Sequence, residues 1–323
     1  MVTATVHAPP MIELRRLHRM FGPTRAVDDV SFDVAKGKVC GYIGPNGAGK
    51  TTSMRILATL DIPTYGDALV DGLSVINDPD RVRRRLGFMP DYFGTYVNVN
   101  CTEYLDFFAR AYGLVGRERQ RAIKHVMSFT GLTELAEKPI RGLSKGMKQR
   151  LCLGRSMVHD PAVLVLDEPA AGLDPRARIE LREMIRQLAA AGKTVLVSSH
   201  ILTELAEMCD QVVIIERGRL LACGTVEEIR RALTQAHEKD HSRVRVRLLE
   251  GMDRMAAWLA QREGVLNVRV DGDQVFFAHP GTRTEDAALL QEMVREGFAI
   301  AEYASQAASL EDVFLQVTRG AVQ

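Results

Sequence analysis

The chain has 323 residues, 46% of them apolar, and its 42 Lys and Arg against 41 Asp and Glu leave a net charge of +1. That length allows one large domain or two smaller ones with ample core, and the balanced charge gives no whole-molecule footprint for a polyanion, so no nucleic-acid partner is expected. No run approaches the roughly 18 apolar residues that a membrane-spanning helix needs, and the opening MVTATVHAPPMIELRR lacks a charged start and an apolar core, so neither a span nor a secretory signal is expected.

Residues 1–10 read as an N-terminal tail. Apolar runs bounded by Gly, Asp and Pro then predict strands at Val27 to Val34, Lys38 to Ile43, Val163 to Leu166, Thr194 to Ser198 and Gln211 to Ile215. Helical patterns fall between them at Lys50 to Leu60, Thr102 to Tyr112, Lys145 to Met157, Pro175 to Ala191 and Ile201 to Met208. The alternation predicts an α/β domain over 11–234 with a mainly parallel sheet, interrupted by a helical insertion at about 102–138. A polar segment, 235–242, reads as a linker. Beyond it, 243–323 predicts strand, helix, two strands joined at Asp271-Gly272-Asp273, helix, strand and a last helix at Leu310 to Val317. That order is β-α-β-β-α-β, the pattern of a small α+β, ferredoxin-like accessory domain. Five scattered cysteines, with no CxxC pair, read as buried thiols in a cytoplasmic chain.

One loop carries the strongest chemical signal. Gly44, Pro45, Asn46, Gly47, Ala48, Gly49, Lys50, Thr51 and Thr52 match GxxxxGK[ST] between a predicted strand and a predicted helix. In that setting backbone N–H groups cradle phosphates at the helix's positive end, Lys50 reaches the β- and γ-phosphates, and Thr51 offers its hydroxyl to Mg²⁺. The competing reading is a Gly-rich turn with a purely structural role. Further on, Val163 to Leu166 runs into Asp167 and Glu168. Successive strand residues point to opposite sides, so Asp167 is placed to hold the Mg²⁺ shell while Glu168 faces an attacking water. A carboxylate pair capping a surface strand is the alternative. His200, after Thr194 to Ser199, sits where ligands bind in parallel sheets and is a candidate for the γ-phosphate and its water, although a lone strand-end His is commonly structural.

Together with LSKGM at Leu143 to Met147, Ala171-Gly172-Leu173-Asp174 and Ser199-His200, these motifs stand in the order found in the ATP-binding subunits of ABC transporters, which the chain resembles from about Ile12 to Leu233. The resemblance implies a Mg-dependent ATPase with ATP and Mg²⁺ as cofactors. Phe21 would stack on adenine. Ser144 and Gly146 would contact the γ-phosphate held by a second, identical or related, ATP-binding subunit, and Asp174 would link the two sites. Glu168 would be the general base and His200 the switch. Two departures stand out: Asp91 follows Met89-Pro90 where the family has glutamine, and Lys145 and Met147 replace the Gly and Gln of LSGGQ. Aspartate still accepts bonds from Mg²⁺-bound water, so Asp91 stays a nucleotide-sensing and metal-shell candidate. Lys145 is expected to be solvated.

Tyr92, Phe93 and Tyr96 sit in a loop that, in the family, grips a helix of the membrane-spanning partner. Tyr104, Phe107 and Phe108 are expected to pack in the core, and Arg81, Arg83, Arg84 and Arg85 to form a solvated helix face. The function implied is to drive a separate transmembrane permease from the cytoplasmic face of the membrane. Export is favoured because Ser309-Leu310-Glu311-Asp312-Val313-Phe314 resembles the tail of exporter-type subunits. The alternative is a non-transport ABC ATPase acting on ribosomes or nucleic acid.

Overall fold

The computed structural model describes residues 9–92, 94, 98–200, 205, 208–229, 242–279 and 283–306. The chain divides into two compact units, Met1–Val226 and Glu227–Gln323. No helix among the described residues is long and apolar enough to cross a membrane.

In the first unit, β1 (Ile12–Phe21), β2 (Thr24–Val34), β4 (Tyr65–Val70) and β5 (Leu73–Ser74) form an antiparallel sheet in the order β2-β1-β4-β5. The second sheet contains β3 (Val39–Ile43), β6 (Leu86–Met89), β7 (Val163–Leu166), β8 (Thr194–Ser199), β9 (Gln211–Glu216) and β10 (Arg219–Thr225) in the order β10-β9-β3-β8-β7-β6. Its strands from β9 to β6 pair in parallel, and only β10 runs antiparallel at the edge. Every residue of β3, β7 and β8 is buried, which explains why these strands read as unbroken apolar runs rather than alternating ones.

Helix α1 (Lys50–Leu57) puts Met54, Ile56 and Leu57 into a core shared by both sheets, together with Ile12, Leu14 and Leu17 of β1 and Tyr42, Val163 and Leu196 of the parallel sheet. The helix that carries the phosphate-loop residues is thus clamped between two sheets. The short α2 (Pro79–Arg85) leads into β6. Its Arg81, Arg83 and Arg85 are exposed and pair with Asp78, Asp80 and Asp71.

Helices α3 (Cys101–Ala111), α4 (Gly116–Phe129) and α5 (Lys145–Met157) build a separate helical core around Tyr104, Leu105, Val126, Leu132 and Leu151. Asn100 caps α3 in a capping box with Glu103. The expectation for the helical aromatics needs one correction: Tyr104 is buried and Phe108 packs on the core, but Phe107 is 59% exposed. Its neighbours on the helix point inward and it does not. The thiols also differ from expectation, since Cys40, Cys101 and Cys152 are buried while Cys223 is exposed on the edge strand β10.

The second unit contains β11 (Ser242–Leu248), α7 (Met252–Ala260), β12 (Leu266–Asp271), β13 (Gln274–His279), α8 (Arg283–Arg295) and β14 (Ile300–Gln306). Its sheet order, β12-β13-β11-β14, is wholly antiparallel and has the ferredoxin-like arrangement. Val244, Val246, Val275 and Phe277 meet Met255, Leu259 and Met293 in its core. The tail over 309–314, the last predicted helix and most of the expected linker lie outside the described residues, as do Phe93, Tyr96 and most of Ile201 to Met208.

Candidate functional site

Parallel pairing brings four loops to one edge of the second sheet. Met89 pairs with Leu166, Leu166 with Val197, and Ile43 with Ser199. The phosphate loop, Asp91, Asp167-Glu168 and Ser199-His200 therefore leave the C-terminal ends of adjacent strands, where open α/β sheets bind ligands.

The loop from Gly44 to Gly49 is shaped by backbone demands. Gly47 and Gly49 have φ of 81° and 102°, a region that L side chains rarely adopt. A Cβ on Gly49 would lie 2.3 Å from the Ala26 carbonyl oxygen, and one on Gly44 would lie 2.3 Å from that of Ile215. Ala48 is buried in the core, Pro45 is half-buried and Asn46 is exposed. The Ala48 N–H donates to the Pro45 carbonyl at 3.1 Å, and the Ala48 carbonyl accepts from Gly218 N–H at 3.0 Å. The turn between β9 and β10 thus braces the loop from outside the motif. Helix α1 begins at Lys50 without a side-chain cap and without an acid in its first turn. The first-turn N–H groups of Lys50, Thr51 and Thr52 therefore form a positive helix end suited to an anion.

Lys50 is 5% exposed. Its ammonium donates to the Gly44 carbonyl at 2.6 Å and the Pro45 carbonyl at 3.2 Å, and lies 3.5 Å from Glu168 Oε1. Glu168 Oε2 is 2.9 Å from His200 Nδ1. Asp167, 1% exposed, accepts from the Ser198 hydroxyl through Oδ1 at 2.7 Å, and from the Thr51 hydroxyl. Its Oδ2 is buried without a hydrogen-bond partner. Burial pushes the Asp167 carboxyl above the usual range. The bonds from Ser198 and Thr51 oppose that rise, and the charges of Asp91 and Glu168 add to it. Asp91, itself exposed, is thus close enough to act on Asp167.

The two carboxylates diverge for a reason other than strand pleating. β7 ends at Leu166, and Glu168 has a φ of 45°. A turn in left-handed backbone swings Glu168 toward Lys50 and His200, while Asp167 stays against β8. A residue outside the sequence motifs holds this turn: Ser198 donates to Asp167 and accepts the Glu168 N–H at 2.8 Å. A hydroxyl at the end of the apolar run Thr194 to Val197 is the one sequence feature that marks it.

The other candidates stand apart from this cluster. Ser144 caps α5 by accepting the Met147 N–H at 3.3 Å, and Asp174 caps α6 (Pro175–Ala190) by accepting the Ala177 N–H at 2.9 Å. Both caps are exposed. Gly146 lies close to Ala177, where an added Cβ would come within 3.3 Å of the Ala177 Cβ. Lys145 is exposed, as expected, and its amine lies over Gly172, 2.3 Å from where a Cβ on that glycine would sit. Phe21 ends β1 with its ring 49% exposed, and Tyr92 is 71% exposed. No group of described His, Cys, Asp and Glu forms a protein-only metal cage.

Residues 27–171 match the family described as ABC transporter, and residues 224–318 match the C-terminal domain described as that of DrrA1-3-like ATP-binding proteins. The Nod factor export ATP-binding protein I of Ralstonia nicotianae is 33% identical, over 97% of this chain and 95% of its own length. The daunorubicin/doxorubicin resistance ATP-binding protein of Streptomyces peucetius is 34% identical, over 95% of this chain and 92% of its own. Among solved structures, an ATP-binding subunit of an ABC transporter superposes with a TM-score of 0.64 at 31% identity, covering 69% of this chain and 93% of that one. A dimeric ATP-binding cassette bound to ADP and Pi shares the fold, with a TM-score of 0.61 at 22% identity over 67% of this chain and 99% of its own.

Proposed function

This chain belongs to the ATP-binding proteins of ABC transporters, and from that premise we propose that it binds and hydrolyses ATP to drive a separate transmembrane permease in export. The observation that carries the reading is the convergence of Lys50, Thr51, Asp167, Glu168 and His200 at one edge of the parallel sheet. The relatives named for export and drug resistance favour transport over work on ribosomes, and export over import.

In the proposed cycle the Gly44–Thr52 backbone and the α1 N-terminus hold the phosphates, and Phe21 takes the adenine. Glu168 accepts a proton from the attacking water, with His200 holding the carboxylate in place from the other side. The residues present fit Mg²⁺: Asp167 has a buried oxygen without a partner, the Thr51 hydroxyl is beside it, and Asp91 is within electrostatic reach. One or two carboxylates and a hydroxyl, completed by phosphate oxygens and water, are the usual Mg²⁺ set. When bound, the ion neutralises charge developing on the phosphates.

Ser144 and Asp174 are exposed at the N-terminal ends of α5 and α6, and Gly146 is half-buried beside Ala177. They are assigned to the ATP held by a second ATP-binding subunit, identical or related. The chain would then work on the cytoplasmic face, attached through its permease, with Tyr92 in the contact. The accessory unit beyond the linker is assigned no chemistry.

The test is to trap the Glu168→Gln variant with ATP in its host, solubilise the membranes gently and identify what co-purifies. A polytopic membrane protein at near-stoichiometric amount is expected. Ribosomal or nucleic-acid factors in its place would overturn the transport reading while leaving the ATPase intact.

A further inference from the structure

Phe21 is not a free-standing aromatic. The guanidinium carbon of Arg19 lies 4.4 Å from the centroid of its ring. The register of β1 against β2 shifts on both sides of Arg19, and such irregularities re-aim side chains along a strand. The guanidinium is fixed in turn, with one Nη 2.7 Å from Asp61 Oδ1 and side chains only 24% and 18% exposed. Asp61 Oδ1 also accepts the Ile62 N–H at 2.8 Å, so the carboxylate is held by its own backbone. Asp61 belongs to the turn that closes α1, where Leu60 N–H donates to the Arg55 carbonyl at 2.8 Å. An unbroken chain of contacts therefore runs from the end of the phosphate-loop helix, through Asp61 and Arg19, to an exposed ring at the tip of β1.

We infer that Arg19 is a positioning residue for the nucleotide's base: anchored on Asp61, it occupies one face of Phe21 and leaves the other face to a purine. The inference rests on the reading of Phe21 as the adenine-stacking residue. A ring held between a cation and a planar base keeps one orientation, whereas an uncovered phenyl at a strand end samples several rotamers. The ion pair also couples the base-binding strand to the helix that binds phosphate, so both ends of the nucleotide meet parts fixed to each other.

The test uses the full chain carrying Glu168→Gln, titrated calorimetrically with Mg·ATP and separately with Mg·tripolyphosphate. Arg19→Ala is expected to weaken ATP binding about two- to fivefold, the size of a partly exposed cation–π contact, and to leave tripolyphosphate binding unchanged. Adding Arg19→Ala to Phe21→Ala should cost nothing further, and Arg19→Lys should restore part of the loss. If the alanine variant does not fold, Arg19→Met, which keeps the aliphatic stem, replaces it in the same cycle. An equal loss of tripolyphosphate affinity, or a full Arg19 effect persisting without the Phe21 ring, would overturn the inference. Should Phe21→Ala weaken ATP while Arg19→Ala does not, the Arg19 role alone falls. Should Phe21→Ala itself have no effect, the stacking reading falls with it.

Discussion

His200 Nδ1 lies 2.9 Å from Glu168 Oε2, and the other oxygen of the same carboxylate is 3.5 Å from the Lys50 ammonium. Glu168 therefore stands between a hydrogen bond with His200 and an ion pair with Lys50, the lysine assigned to the phosphates. A γ-phosphate must compete with Glu168 for Lys50, and in doing so it frees the carboxylate for water. Replacing Glu168 by Gln removes the base and also the negative charge 3.5 Å from the Lys50 ammonium. Turnover is expected to fall by about two to four orders of magnitude, the usual share of a general base. ATP affinity should hold or rise, and ATP-stabilised dimers should persist on gel filtration. Near-normal hydrolysis would show that Glu168 is not the base.

Lys50 tests the other side of that competition. Its ammonium is buried on the Gly44 and Pro45 carbonyls, so its position is set before any ligand arrives. Lys50→Ala should weaken ATP binding about ten- to a hundredfold, as expected for lost charge-assisted hydrogen bonds. Lys50→Arg should do little better, because a planar guanidinium is a poor substitute for a compact ammonium between two carbonyls. Equilibrium titration with a fluorescent ATP analogue reads both variants, and an unchanged affinity in either would remove Lys50 from the phosphate site.

Gly49 has no tolerance for a side chain. Its φ is 102°, and a Cβ would lie 2.3 Å from the Ala26 carbonyl oxygen. Gly49→Ala should cost about 1–3 kcal/mol in stability from the backbone strain alone. It should also abolish ATP binding, since relief requires the loop to move off β2. Chemical denaturation combined with nucleotide titration checks both effects. A stable variant with intact affinity would mean that the loop has more freedom than its packing indicates.

How far these parts can be read from sequence depends on how local their causes are. Val163 to Leu166 is legible because a parallel strand buried on both faces becomes an uninterrupted apolar run ending at acids. Ile12–Phe21 was not among the strands predicted. Its pattern is broken at Arg15 and Arg16, where Arg16 has a φ of 46° and the register with β2 shifts, so no period-two signal survives. The phosphate loop is legible as a motif, yet its bracing by Ala26 and Gly218 depends on contacts remote in sequence. Ser198 shows the same limit at the acidic pair. The divergence of Asp167 and Glu168 could be anticipated, but its cause is a left-handed turn pinned by a neighbouring strand's hydroxyl. Phe107 shares the helical spacing of its aromatic neighbours and still faces solvent, because spacing along α3 does not say where the partner helices end.

Asp167 joins function to stability with a sign that can be worked out. Burial raises its folded-state pKa above the unfolded value, with the charges of Asp91 and Glu168 adding to the rise. A raised carboxyl favours the protonated form in the fold. Its stabilising contribution is complete below the unfolded pKa and is lost as pH rises through the folded pKa. Above that folded pKa the protein carries a buried carboxylate with one oxygen that has no hydrogen-bond partner. Asp167→Asn keeps an acceptor for the Ser198 hydroxyl and removes the charge. The variant should melt at a higher temperature than the parent at pH 7, and the gap should close as pH falls and the parent's Asp167 becomes protonated. Its ATPase activity should fall at least about a hundredfold, and added Mg²⁺ should not restore it, because the charge that costs stability in the fold is the one assigned to the metal. Scanning calorimetry across pH, with hydrolysis assayed against Mg²⁺ concentration, separates the two claims. A variant less stable than the parent at pH 7 would show that the ionised Asp167 is satisfied by its protein partners, and full activity at high Mg²⁺ would show that another residue holds the ion.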